Sequence, residues 1–392
     1  MKDVLIASYD MEVGGVERSL ISLLNNFDYE QYKVDLMLYS HTGDFMDLLP
    51  TSPRLVDEMK PYKTFRMSIL QTMKSGQVLI GLMRLLAKYR ASRHRSEENG
   101  YKQMQYIWKL LIPYLPKFEK TYDVAISYLW PHYFVAEKVN AKTKIAWIHT
   151  DFSTVDTDEK LDIEMWDHFD YIVAVSVDCK NTFIKKYPSL ATKVVVIENI
   201  TSPDLVRELA EEREENPLIT DKRFKLVTVA RLSHAKGIDQ AIVALKLLKE
   251  RGYKDIVWYV VGYGGDEEHM RRLIKEHELA EDFILLGKKV NPYPFIKAAD
   301  LYVQPSRYEG KAVTVTEAQI LSKPVLITKY PTSGSQVKDR VDGIICEKSS
   351  EGLADGIEKL YLHPSTINQL SSHCEKKDFS NHEELKKLYD LV

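Results

Sequence analysis

Residues 226–239 read LVTVARLSHAKGID. The run Leu226–Val229 is short and rich in Val, which predicts a strand covered on both faces by helices. The loop that follows, Ala230–Asp239, leaves the carboxyl end of that strand and carries Arg231 and Lys236. Ligands of open α/β sheets bind outside such ends. An arginine fork and a lysine point charge together can neutralise a diphosphate, although two such residues alone also read as solvated surface cations.

Working outward, similar runs recur between longer helical stretches. Candidate strands upstream are Val4–Ala7, Val34–Leu38, Val124–Ser127, Ile145–Ile148 and Tyr171–Ser176. Downstream, Val257–Val261, Ile284–Leu286, Leu301–Val303 and Val325–Ile327 join Leu226–Val229. Strands alternating with helices imply right-handed crossovers and parallel sheets. The two series are separated by residues 203–223, an acidic stretch of helical propensity broken by Pro217, and so predict two α/β domains. At 392 residues the chain is long enough for both.

A second motif follows Leu301–Val303. It runs from Pro305 to Ala318, PSRYEGKAVTVTEA. Glu309 falls in the loop and Glu317 two turns into a helix. The amides of Lys311 to Thr314 then head that helix and suit a phosphate. One carboxylate can accept hydrogen bonds from sugar hydroxyls and the other can clamp a ribose. Taken singly, glutamates so spaced are an ordinary solvated helix face; coupled to a strand end, a glycine and the Arg231/Lys236 pair they are more specific. Near the N-terminus, Gly14-Gly15 precede the helical SLISLLNNF, which suits an anion or sugar hydroxyls at a helix start or simply a tight turn. The glycines do not form GxGxxG, which weakens a dinucleotide-binding reading.

At these residues the sequence resembles family 4 of the glycosyltransferases, the retaining GT-B enzymes, and especially bacterial capsular and surface-polysaccharide transferases. The resemblance is carried by GGVER, VARLSHAKGID, VVGYGGDEEHMRRLI, LLGKKVNPYPFIKAAD and SRYEGKAVTVTEAQILSKPVLIT, in family order and most strongly over residues 225–345. It implies an α/β GT-B fold, two Rossmann-like domains with parallel sheets facing a cleft. Residues 1–202 would bind the acceptor and carry a helical insertion at about 60–120. Residues 203–375 would bind the nucleotide sugar, and residues 376–392 would return to the first domain as a helix.

Carried over by position, Arg231 and Lys236 would hold the donor diphosphate, Glu309 the donor sugar and Glu317 the ribose. Gly310, Lys311, Ala312 and Val313 would offer backbone amides. Gly262 and Gly264 would line the donor pocket, and Lys288 to Val290 would read the base. Gly14 and Gly15 would approach the diphosphate, and His149, ending WIHTD, would lie near the transferred sugar. Lys311-Ala312 stands where the family usually has Phe-Gly, which adds a cation beside the phosphates. The resemblance implies transfer from a nucleotide sugar, uridine diphosphate by family habit, to a glycan or lipid-linked acceptor, without metal or other cofactor. A nucleotide-sugar epimerase of the same fold and a non-catalytic partner subunit are the alternatives.

Composition bounds these readings. Apolar residues make up 44% and charged residues 28%, which excludes a mostly disordered chain. A net charge of −3 gives no global affinity for nucleic acid. Three distant cysteines predict neither a disulfide scaffold nor structural zinc, and fit a reducing compartment. The triplet Asp156-Thr157-Asp158 matches a metal-binding DxD only by its three letters. Met1–Ala7 is too short an apolar run for a signal peptide, and no apolar run is long enough to cross a membrane. One segment stands apart. Lys60–Ser96 holds nine Lys or Arg and no Asp or Glu. Leu79, Leu82, Met83 and Leu86 follow helical spacing with Arg84 and Lys88 elsewhere on the helix. Arg84, Lys88, Arg90 and Arg93 are therefore candidate contacts to an anionic membrane, which would place the protein at the inner face of the cell membrane, in the cytoplasm; a pair of surface helices with a buried apolar face is the plainer reading.

Overall fold

A computed structural model describes residues 1–92, 100–153 and 155–392. The chain divides into two compact units. Met1–Glu12, Val16–Ile200 and His382–Val392 form the first; Val13–Gly15 and Thr201–Asn381 form the second.

The first unit holds strands β1 (Lys2–Ser8), β2 (Tyr32–Leu38), β3 (Arg54–Leu55), β4 (Thr121–Ser127), β5 (Asn140–Ile148), β6 (Tyr171–Ala174) and β7 (Val194–Val196). They form one parallel sheet in the order β3-β2-β1-β4-β5-β6-β7. The second unit holds β8 (Phe224–Val229), β9 (Ile256–Val261), β10 (Phe283–Gly287), β11 (Leu301–Gln304), β12 (Val325–Thr328) and β13 (Ile344–Cys346), ordered β10-β9-β8-β11-β12-β13 and also parallel throughout. Both sheets are doubly wound, and the strand order reverses between β1 and β4 in one and between β8 and β11 in the other. The acidic stretch 203–223 is less helical than its composition predicts. Its helix is confined to Pro203–Leu209, and the glutamates of 211–215 lie exposed beyond it.

The strands are apolar because each sheet is covered on both faces. In the second unit, Leu226, Trp258, Val260, Val303 and Leu326 meet Ile242, Leu245 and Ile357 on one side. Val227, Val257, Tyr259, Tyr302 and Ile327 meet Phe295, Ile296 and Val315 on the other. Alternate residues of one strand thus enter opposite cores. The one fully buried carboxylate on the strands of the first sheet, Asp35, is satisfied by Arg54 (2.8 and 2.7 Å), Lys120 (3.1 Å) and the Tyr122 hydroxyl (2.8 Å). Burial opposes its charge, but these donors overcome it and pull the carboxyl down to about 2. The helix His382–Tyr389 packs in the first unit, with Tyr389 stacked on Tyr32 (centroids 5.0 Å) and its hydroxyl accepting from the Asp28 amide at 2.8 Å.

Between β3 and β4 run helices Lys60–Lys63, Ile69–Lys74, Val78–Ser92 and Gly100–Leu111. The last is anchored by Trp108, fully buried and stacked on Phe65 at 4.2 Å, and by Gln105, which donates to Asp162 at 2.9 Å. The cations of this segment are not all unopposed, as the sequence suggested. Lys63 pairs with Glu58 at 2.6 Å and Arg66 with Asp10, both acids lying outside the run. Arg84 does not face outward as a membrane contact requires. It turns inward, donates to the Thr64 carbonyl (2.6 Å) and Thr72 Oγ1 (3.0 Å), and burial pushes its pKa down. Lys88 and Arg90 are exposed. Arg93 lies outside the described residues.

Candidate active site

The two motif loops of the second unit leave β8 and β11, the strands that flank the reversal of strand order. The sheet therefore brings together residues about seventy positions apart. Lys236 lies in the short turn His234–Lys236, and its Nζ donates to both Glu309 oxygens at 2.6 Å. Glu309 is largely buried, at 7% exposure, and its Oε1 also accepts from Ser306 Oγ at 2.6 Å and Gln304 Nε2 at 3.0 Å. Behind them the Tyr302 hydroxyl sits 2.6 Å from Gln304 Oε1 and 2.8 Å from Thr314 Oγ1. A continuous polar chain thus runs from the head of the Val313–Ile320 helix to the Glu309 carboxylate, and it fixes that carboxylate before any ligand arrives.

Backbone and side chain both hold the two loops in register. Arg307 makes a bidentate pair with Asp239 (2.8 and 2.6 Å) and donates to the His234 carbonyl at 2.7 Å. Burial opposes the Asp239 charge, yet the Arg307 pair holds its pKa below the ordinary value. Gly237 has φ +63°, and a Cβ there would stand 2.0 Å from the Pro305 carbonyl oxygen. On the other side, Gly262 has φ +151°, and its Cβ would meet the Ala230 carbonyl oxygen at 1.9 Å. Gly262 and Gly264 therefore back the loop that carries Arg231, whose side chain is exposed.

The cradle at the helix head differs from the sequence reading at one position. The Ala312 amide does not await a ligand: it donates to Gln336 Oε1 at 3.2 Å, while Gln336 Nε2 returns to the Ala312 carbonyl. Gln336 thereby clamps the peptide that starts the helix. Val313 and Thr314 take the first two helical positions, where an amide has no intrahelical acceptor. Gly310 is buried and Lys311 half-buried beside them. Glu317 is also buried, with Oε1 accepting from the Tyr293 hydroxyl at 2.9 Å. Lys288 and Val290, beyond β10, are exposed, and the Lys288 ammonium lies 5.0 Å from the Tyr263 ring centre.

In the first unit, His149 follows β5. Its ring lies 4.8 Å from Tyr128, and its Nε2 has no hydrogen-bond partner among the described residues. Nearby His132 is fully buried, with Nδ1 2.8 Å from Ser127 Oγ. Burial pushes both imidazoles down to about 3. For His132 the ordinary value, 6.5, returns on unfolding, so the unfolded chain takes up a proton that the folded chain refuses. Its contribution to stability is present above about pH 6.5 and is lost as pH falls toward 3. Between about pH 7 and pH 5 the loss should be about 2 kcal/mol. Melting of the wild type against His132→Gln should show a shallower pH dependence in the variant; identical slopes would contradict the assignment. Gly14 and Gly15 group with the second unit, and Gly15 opens the helix Gly15–Asn25.

The DxD residues have structural work. Asp156 pairs with Lys102 at 2.7 Å, and Asp158 caps the Glu159–Trp166 helix by accepting from the Leu161 amide at 3.3 Å.

Residues 210–377 match the family described as Glycosyl transferases group 1. The O-antigen biosynthesis glycosyltransferase WclY of Escherichia coli is 29% identical over 168 residues, 43% of this chain and 45% of its own length. The capsular polysaccharide biosynthesis glycosyltransferase CapM of Staphylococcus aureus is 25% identical over 243 residues, 56% of this chain and 61% of its own. The chain spans about half the length of the curated relatives it matches. Among solved structures, Anabaena Alr3699/HepE in complex with UDP-glucose superposes with a TM-score of 0.69 at 17% identity, covering 100% of both chains. S. aureus TarM gives 0.69 at 14%, covering 100% of this chain and 98% of its own. The fold is GT-B, and the chain resembles the surface-polysaccharide glycosyltransferases that share it.

Proposed function

We propose that the chain is a retaining glycosyltransferase that moves a sugar from a UDP-sugar to a lipid-linked precursor of a cell-surface polysaccharide at the cytoplasmic face of the membrane. The observation that carries this reading is the juncture of Lys236 and a pre-oriented Glu309 at the strand-order reversal of the second sheet. The nucleotide-sugar complexes of HepE and the polysaccharide roles named for WclY and CapM support it.

In this reading Arg231 and Lys236, with the amides heading the Val313–Ile320 helix, meet the diphosphate. Glu309 accepts hydrogen bonds from the sugar. As the bond between C1 and the diphosphate oxygen breaks, the electron pair leaves with the phosphate, and the cations stabilise the charge that develops there. The acceptor oxygen bonds C1 from the same face, and its proton passes to the departing phosphate. His149 of the first unit is neutral, because burial holds its pKa at about 3, and can act as a hydrogen-bonding group but not as a cation.

In this reading Arg231, Lys236 and the helix head supply the positive charge for the diphosphate, and transfer proceeds without a metal ion. UDP should raise the melting temperature in EDTA, since a ligand specific for the folded state stabilises it by mass action. Asp156→Ala and Asp158→Ala should keep transfer, with Asp158→Ala costing about 1 kcal/mol for its lost cap. A UDP shift that requires manganese would overturn metal independence. Slow release of free sugar from a UDP-sugar is the expected background activity; interconversion of sugars would indicate an epimerase, and UDP binding without either a partner subunit.

A further inference from the structure

The helix Val78–Ser92 carries an apolar face that is exposed among the described residues. Fourteen large apolar side chains are exposed among the described residues, and six of them lie on this helix: Val78, Leu79, Leu82, Leu85, Leu86 and Tyr89. At 3.6 residues per turn these six fall within an arc of about 120°. Lys88 and Arg90, both exposed, flank the two edges of that arc. The opposite side carries Ile80 and Ala87, which are buried, and Arg84, which is tied to Thr64 and Thr72. Close packing fixes this orientation, since Gly81 has Met73 so near that a Cβ would stand 2.6 Å from its side chain. The helix is therefore attached by one side and presents the apolar arc outward.

We infer that this helix lies in the plane of an anionic bilayer surface, with Leu79, Leu82 and Leu86 entering the interface and Lys88 and Arg90 reaching the headgroups. Leucines flanked by cations are the arrangement of an in-plane membrane helix. The charge pattern selects this occupant over a second copy of the chain. From Lys60 to Ser92 there is no Asp or Glu, so two such faces brought together would oppose like charges, whereas an anionic leaflet attracts them. The inference rests on the proposed reading, in which the acceptor is held by a membrane lipid, and names the surface through which the enzyme reaches it.

Sedimentation of the full chain with vesicles of phosphatidylcholine and phosphatidylglycerol (about 7:3), and with phosphatidylcholine alone, tests it. Wild type should bind the anionic vesicles, and salt should weaken binding. The triple variant Leu79→Ser, Leu82→Ser, Leu86→Ser should bind at least about 100-fold more weakly. Lys88→Gln with Arg90→Gln should lose about 30-fold. Both variants should melt within a few degrees of wild type, because every altered side chain is exposed, and Leu362→Ser, an exposed leucine of the second unit, should bind as wild type does. Triple-variant binding equal to wild type, no wild-type binding to anionic vesicles, or a wild-type dimer that the triple variant dissolves would each overturn the inference. Hydrolysis of UDP-sugar without vesicles is read in parallel. Its absence in wild type would sink the transferase reading, while the vesicle result still decides the surface.

Discussion

Lys236→Ala and Glu309→Gln are each expected to lower turnover of the nucleotide sugar at least about 100-fold, a loss of about 2.7 kcal/mol in transition-state stabilisation. The two residues form one unit. Lys236 Nζ reaches both carboxylate oxygens at 2.6 Å, so each fixes the other before the donor arrives. Lys236→Ala removes the cation proposed to stabilise the departing phosphate and also leaves a carboxylate of 7% exposure without its counter-charge. That variant should therefore melt a few degrees lower as well. Glu309→Gln keeps the shape, and its amide oxygen can still accept from Ser306, so its melting point should stay close to wild type while turnover falls. Because the losses share one pair, the double variant should be little worse than either single one. Initial rates with UDP-sugar, together with melting curves, check all of this. Turnover near wild type in both single variants would remove the site from the second unit's strand-order reversal.

The placement of that pair was legible because strand ends are legible. Nine of the ten predicted strands lie within observed ones, and the tenth, Tyr171–Ser176, overlaps β6 and runs two residues past its end, since parallel strands covered on both faces read as unbroken Val- and Ile-rich runs. The three strands not predicted, Arg54–Leu55, Val194–Val196 and Ile344–Cys346, each lie at an edge of a sheet and span two or three residues. Such pieces carry too little pattern to be told from loop. The supports of the site were illegible for a different reason. Gln304 and Ser306 act on Glu309 through a loop fold, Arg307 finds Asp239 across 68 positions, and Gln336 finds Ala312 across 24. Nothing in the local pattern of a polar residue states which distant carboxylate or peptide it will meet. The basic helix shows a third limit. The spacing of Leu79, Leu82 and Leu86 declares an apolar stripe, but the period is the same whether the stripe faces a core or a bilayer. The exposure of those leucines and the inward turn of Arg84 show only that the stripe does not face the core.

Gly237→Ala is expected to lower the stability of the second unit by on the order of 3 kcal/mol and to reduce donor binding with it. Gly237 adopts φ +63°, the left-handed region that costs an L-residue about 1 kcal/mol. Its position adds a steric term, because the new Cβ would stand 2.0 Å from the Pro305 carbonyl oxygen, a backbone atom that cannot rotate away. Relief requires the loop after β8 to part from the loop after β11. The Arg307–Asp239 pair, at 2.6 and 2.8 Å, and the Arg307 amide on the Ala235 carbonyl, at 2.8 Å, oppose that parting. Whichever gives way, Lys236, the residue immediately before, moves relative to Glu309. For a unit of this size about 3 kcal/mol corresponds to a fall in melting temperature of roughly 6 to 12 °C. The stabilisation by UDP should shrink in the same variant. Gly265→Ala is the control, since its Cβ would meet nothing within 4 Å, and it should melt as wild type does. If Gly237→Ala melted with Gly265→Ala and kept its UDP shift, the close apposition of the two loops would not be what holds Lys236 against Glu309.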